Sequence, residues 1–157
     1  MVKEQSYQTI LVSVDGSAQA NYAYRSAIEV AKRNDGKIIV VAAVQNNMYD
    51  FLGYGNISED FLNQAKKEYQ DLLDNLQKIA HEADFTNLKT QVVYGNPKKL
   101  LGDTLPRKYH VDLIMIGQSG LNAVERFMVG SVSQYVISHA PCDVLIVHPE
   151  KKKRMEK

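Results

Sequence analysis

At 157 residues, with 45% of them hydrophobic and 24% charged, the chain has the composition of an ordinary globular domain and can bury one core without disulfides or metals. A net charge of +1 gives no reason to expect nucleic acid or a membrane surface as partner, and a single cysteine, Cys142, excludes an internal disulfide and fits a reducing compartment. No charged start followed by an apolar stretch and no apolar run of membrane-spanning length is present, so a cytoplasmic location is expected.

Residues 1–150 are expected to form one domain and residues 151–157, a short charge run, its solvated tail. Thr9 to Val14 reads as a first strand, and Asp15-Gly16-Ser17 turns the chain into a helix to Asn34 with Ala20, Tyr24, Ala27, Ile28 and Ala31 at helical spacing. Asn34-Asp35-Gly36 stops that helix, and Lys37 to Val44 follows as a second strand. Residues 45 to 57 form the longest irregular stretch, either a lid carrying Tyr49, Phe51 and Tyr54 or a loop packed on its own helix. Ser58 is placed to cap a long helix to about His81, whose apolar face runs from Phe61 and Leu62 through Leu73, Leu76 and Ala80.

Leu88 to Tyr94 is the third strand. Asn96 and Pro97 then open a helix toward Tyr109, which Pro106 should kink or split because it removes one backbone donor. The run Leu113 to Ile116 is apolar throughout, as a strand covered on both faces should be, and stops at Gly117. A last helix runs from Ser131 to His139, with Ser131 and Gln134 in capping-box spacing and Val132, Tyr135, Val136, His139 and Ala140 on one stripe. Pro141 ends it, and Asp143 to His148 is the fifth strand.

Strands that alternate with helices imply a doubly wound α/β domain, one parallel sheet with helices on both faces. Its natural ligand site is the crevice where the connections after strands 1 and 4 diverge to opposite faces, where Asp15 and Gly117 would meet. A helix opening at Ser131 points unpaired amides and a positive dipole end there, which suits phosphate. Gly130 lets an anion approach the backbone, and Gly117 and Gly120 are expected to supply positive φ angles in the loop. Ser131 and Ser133 can offer hydroxyls, Val132 an amide, and Arg126 a guanidinium to the terminal phosphates. Asp15 reads either as a turn-former ahead of Ser17 or as a partner for ribose hydroxyls or a metal.

The pattern Gly117-x2-Gly120-x9-Gly130-Ser131 resembles the nucleotide-binding signature of the universal stress protein family. Ile10 to Ser17 looks like that family's first strand and acidic turn, and Pro141 to Val147 like its closing strand, so the resemblance covers nearly the whole chain. It implies a Rossmann-like sheet of order 3-2-1-4-5 and ATP, held by Ser13, Asp15, Ala43, Gly117, Ser119, Gly120, Gly130, Ser131, Val132 and Ser133; Mg2+ or Mn2+ is expected on the triphosphate because protein charge near the motif is sparse. Adenine would lie against Ala43 with Ser13 beside it, where ATP-binding members often have valine and proline. An apolar strand 5 at a sheet edge needs cover, and the family likewise implies a homodimer through Val144, Leu145, Ile146 and Val147.

No Gly-x-x-x-x-Gly-Lys-Ser/Thr and no Gly-x-Gly-x-x-Gly occurs, which argues against a P-loop NTPase and against dinucleotide binding. His81, His110, His139 and His148 fall on separate elements without metal-ligand spacing. Binding without efficient turnover is the expected activity. Slow ATP hydrolysis or self-phosphorylation, and a nucleotide-free interaction protein of the same fold, are the alternatives.

Overall fold

The computed structural model of the chain describes residues 2–45, 59–118 and 129–148. Residues 46–57 of the proposed 45–57 lid, the cap Ser58, the loop residues Ser119, Gly120 and Arg126, and the tail at 151–157 lie outside them, as do the side chains of Phe61 and Leu62.

Strands β1 (Thr9–Ser13), β2 (Lys37–Val44), β3 (Leu88–Tyr94), β4 (Leu113–Gly117) and β5 (Asp143–Val147) form one five-stranded sheet in the order β3-β2-β1-β4-β5. Every pairing is parallel. This is the sheet the alternation of elements predicts. The central strands are apolar at nearly every position because both of their faces are covered. Ile10, Val12, Ile38, Val40, Leu113 and Met115 bury on one face, and Leu11, Ile39, Val41, Ile114 and Ile116 on the other.

Helices α1 (Ala18–Asn34) and α2 (Glu59–Glu82) cover the first face through Tyr24, Ala27, Ile28, Leu73, Leu76 and Ala80. The Tyr24 hydroxyl, fully buried between them, donates to the Leu76 carbonyl at 2.7 Å. Asp35, at φ 51°, ends α1 in the left-handed region, and Gly36 follows where a Cβ would stand 2.5 Å from the Tyr7 carbonyl oxygen.

The other face is covered by α3 (residues 97–108) and by α4 (Ser131–His139). Helix α3 starts at Pro97–Lys99 under the Asn96 cap, whose Oδ1 accepts from the Lys98 amide at 3.0 Å. It continues through a π-helical turn, Leu100–Thr104, into Leu105–Lys108. Pro106 therefore neither splits nor ends this helix. The wider turn just ahead of the proline, with the Leu105 amide reaching back to the Leu100 carbonyl, takes up the disturbance that a missing donor creates. It also sets Gly102 against the Tyr135 ring of α4, where a Cβ would be 3.0 Å from the ring carbons.

Helices α1 and α2 lie on one face and α3 and α4 on the other, so the chain leaves β1 and β4 in opposite directions. A crevice is thus placed at the carboxyl ends of these two neighbouring strands.

Candidate functional site

The β1 side of the crevice is a turn. Gly16, at φ 83°, lets the chain reverse, and Asp15 Oδ1 accepts from the Ser17 amide at 2.9 Å. Ser17 in turn caps α1, its hydroxyl accepting from the Ala20 amide at 3.2 Å. Asp15 is therefore the turn-former, with one carboxylate oxygen engaged. Its second oxygen makes no hydrogen bond to a described residue and remains available at the rim.

On the β4 side, Gly117 corrects the sequence expectation. It does not adopt a positive φ; it is the last paired residue of β4, in register with Val147. What it supplies is closeness, since a Cβ there would lie 3.0 Å from the backbone carbonyl carbon and oxygen of Gln19. The first turn of α1 thereby packs onto the exit of β4.

Helix α4 then arrives at this exit, but its cap is not Ser131. Gly130 holds the N-cap position with φ −60° and ψ 158°, and Ser131 is the first helical residue, exposed. Gln134 does not close a capping box; its side-chain amide donates to the Val129 carbonyl at 2.8 Å. The Gly130 amide instead donates to the Gln118 carbonyl at 2.8 Å, and the Ser133 hydroxyl to the Gly117 carbonyl at 3.0 Å. Ser133 is only 4% exposed and its proton points into the sheet, so this hydroxyl ties α4 to β4 rather than facing the crevice. The buried stripe of α4 accordingly includes Ser133 with Val136, and His139 is exposed.

The first intrahelical bond of α4 runs from the Gln134 amide to the Gly130 carbonyl. The amides of Ser131, Val132 and Ser133 precede it and so have no acceptor within the helix. These are the donors an anion would use.

Along the sheet, Ser13 pairs with Val41 and Ala43 with Val93. Side chains alternate between faces, so Ser13 and Ala43 share the α3/α4 face with Leu11 and Val41. Both are partly exposed where β1 and β2 end, whereas Val41 and Ala42 are fully buried. The structure therefore brings Ser13, Asp15, Ala43, Gly117 and Gly130 to Ser133 to one rim.

Two residues also stand there that the sequence did not place at the site, Gln118 and His148, the latter weighed only as a metal ligand. Gln118, 9% exposed, accepts through its side-chain Oε1 a contact of 3.1 Å with Nδ1 of His148. A polar residue immediately after an apolar strand was the available signal. Nothing in the sequence links it to a histidine 30 positions on.

Elsewhere, the Cys142 thiol is pushed up from 9.0 to about 11 by burial first and then by Asp112 and Asp143, so it is no nucleophile at neutral pH. Among the described residues, no group of three or more His, Cys, Asp or Glu side chains is arranged to hold a metal ion. No helix among them is long and apolar enough to cross a membrane.

The sequence matches the family described as "Universal stress protein family" over residues 6–148. The chain belongs to the universal stress protein family. A Staphylococcus haemolyticus protein carrying the same family assignment is 42% identical over 146 residues, which cover 93% of this chain and 87% of that protein. Among solved structures, the universal stress protein UspA from Lactobacillus plantarum is 28% identical with a TM-score of 0.78, covering 92% of this chain and all of that one. A universal stress protein solved in complex with cAMP is 26% identical with a TM-score of 0.65, covering 92% and 98%. The sheet order and paired helical layers of this universal stress protein are thus those of its relatives.

Proposed function

We propose that this universal stress protein binds ATP in the crevice between the exits of β1 and β4 and acts by binding rather than by turnover. The observation that carries the reading is the start of α4, where three amides without helical acceptors, at Ser131, Val132 and Ser133, follow a residue with no side chain. The cAMP complex of a relative supports an adenine nucleotide as the ligand class.

In this reading, phosphates sit on the amides of Ser131, Val132 and Ser133, Gly130 leaves the approach to them open, and Ser119 and Gly120, outside the described residues, are proposed as further phosphate contacts. Adenine and ribose lie across Ser13 and Ala43, and the unengaged Asp15 oxygen accepts from a ribose hydroxyl. The donor set fits a triphosphate, because backbone amides and a helix end stabilise negative charge without a cluster of cations. It fits a resident metal less well. Mg2+ or Mn2+ would be held mainly by the phosphates themselves, with Asp15 as the carboxylate at the rim among the described residues.

Nucleotide occupancy would change the surface offered to partners of a cytoplasmic homodimer formed through β5. Val144 and Ile146 pack partly under the α3/α4 layer, while Leu145 is 44% exposed on the α1 side of this edge strand. Such an open apolar edge is a natural pairing surface.

The free Asp15 oxygen also favours one competing reading, slow hydrolysis in which Asp15 positions metal and water. Asp15→Asn separates the two: a binder loses part of its affinity, whereas a hydrolase loses turnover far more. The reading as a whole is tested by denaturing the purified protein and identifying what it releases by chromatography and mass spectrometry. Released ATP supports binding, and ADP favours hydrolysis. An empty protein that shows no thermal shift with ATP and magnesium would refute both.

A further inference from the structure

Accepting the nucleotide site proposed above, we infer that His148 is a positioning residue for its phosphate-binding amides, acting through Gln118.

Gly117 and Val147 are the last residues of β4 and β5 paired in register, and Gln118 and His148 directly follow them. Their side chains meet at 3.1 Å, so the pairing of the two strands continues one rung farther by side chains after the backbone ladder stops. The contact needs a proton on Nδ1 when Gln118 Oε1 is the acceptor. Gln118 is 9% exposed, so this contact is made away from solvent.

That rung fixes the direction of the Gln118 backbone, whose carbonyl takes the Gly130 amide at 2.8 Å. Gly130 is the N-cap of α4, and the amides of Ser131, Val132 and Ser133 follow it immediately. Among the described residues, the aim of those three donors depends on two ties to the end of β4 and its exit, the Ser133 hydroxyl on Gly117 and the Gly130 amide on Gln118. His148 steadies the second of them while lying 17 positions beyond Ser131 and outside the glycine pattern. A small error in donor placement weakens phosphate contacts selectively and leaves the adenine contacts across β1 and β2 alone.

The test measures ATP and adenosine affinities by calorimetry for the full chain, His148→Ala and His148→Asn, with circular dichroism confirming that each variant is folded. Asparagine keeps a side-chain N–H close to the position of Nδ1. The expected result is an ATP affinity lowered about tenfold in His148→Ala, adenosine affinity within about twofold of wild type, and recovery of most of the ATP affinity in His148→Asn. A merely structural role would weaken ATP and adenosine together or leave both unchanged, and either result overturns the inference. If the wild-type chain binds adenosine but gains nothing from the phosphates, the phosphate reading of α4 fails and this inference falls with it. If wild type prefers ATP and His148→Ala keeps that preference, the inference alone fails.

Discussion

The Ser133 hydroxyl donates to the Gly117 carbonyl oxygen at 3.0 Å, joining the first turn of α4 to the last residue of β4 across a gap of 16 residues in sequence. Both groups are buried, so the bond has no water to replace it. Ser133→Ala should lower stability by about 1–2 kcal/mol, through a lost bond and an orphaned carbonyl. Urea unfolding monitored by circular dichroism checks this, and an unchanged midpoint would mean that the tie is dispensable.

Gly117 faces a second constraint on its other side. A methyl group there would press on the Gln19 backbone at 3.0 Å, and backbone at the start of a packed helix yields little. Gly117→Ala is expected to destabilise by about 1–3 kcal/mol, as overpacking does. Were the demand one of backbone conformation rather than closeness, alanine and serine would differ little. On the closeness account Gly117→Ser is the worse of the two in the same unfolding assay.

Tyr24 gives the protein an alkaline limit. Burial raises its hydroxyl from 10.0 to about 12, so the folded state keeps a proton that the unfolded chain releases first. Its contribution is complete below pH 10 and is lost as pH rises from about 10 to 12, at roughly 1.4 kcal/mol per unit. Tyr24→Phe should cost about 1 kcal/mol at pH 8 by removing the bond to Leu76. It should also flatten the decline above pH 10, so that the two proteins converge or cross. Parallel stability curves over that range would refute the assignment.

For the proposed dimer, Leu145 is the position to change, because Val144 and Ile146 help cover the α3/α4 layer and Leu145 is the more open side chain. Leu145→Lys should yield a folded monomer by light scattering. A dimer of unchanged stability would remove the β5 edge from the assembly.

The sheet was legible from sequence because its signals are local. Apolar runs such as Leu113 to Ile116, the cap at Asn96 and the stop at Asp35-Gly36 each act within a few residues, and the order β3-β2-β1-β4-β5 matches the reading. What the sequence hid depended on contacts between distant segments. Ser131 and Gln134 have the spacing of a capping box, yet Gly130 takes the cap, its amide claimed by the Gln118 carbonyl just past the end of β4. Ser133 reads as a free hydroxyl until Gly117 is brought beneath it. Gly117 reads as a flexible loop residue until α1 is packed against it. Pro106 reads as a kink or split, although a local π-helical turn takes up the missing donor. For Ser131, Ser133 and Gly117, tertiary packing overrode a correct local rule.

The central claim is that phosphates rest on the start of α4, and Gly130 allows a direct trial of it. At φ −60° its backbone accepts any residue, so Gly130→Val adds a branched side chain at the approach to the amides without straining the cap. Titrating ATP into wild type and Gly130→Val by calorimetry should show saturable binding at one site per chain, weakened at least about tenfold by valine, in proteins of equal helicity. Equal ATP affinity in the two, or no binding to wild type, would contradict the account.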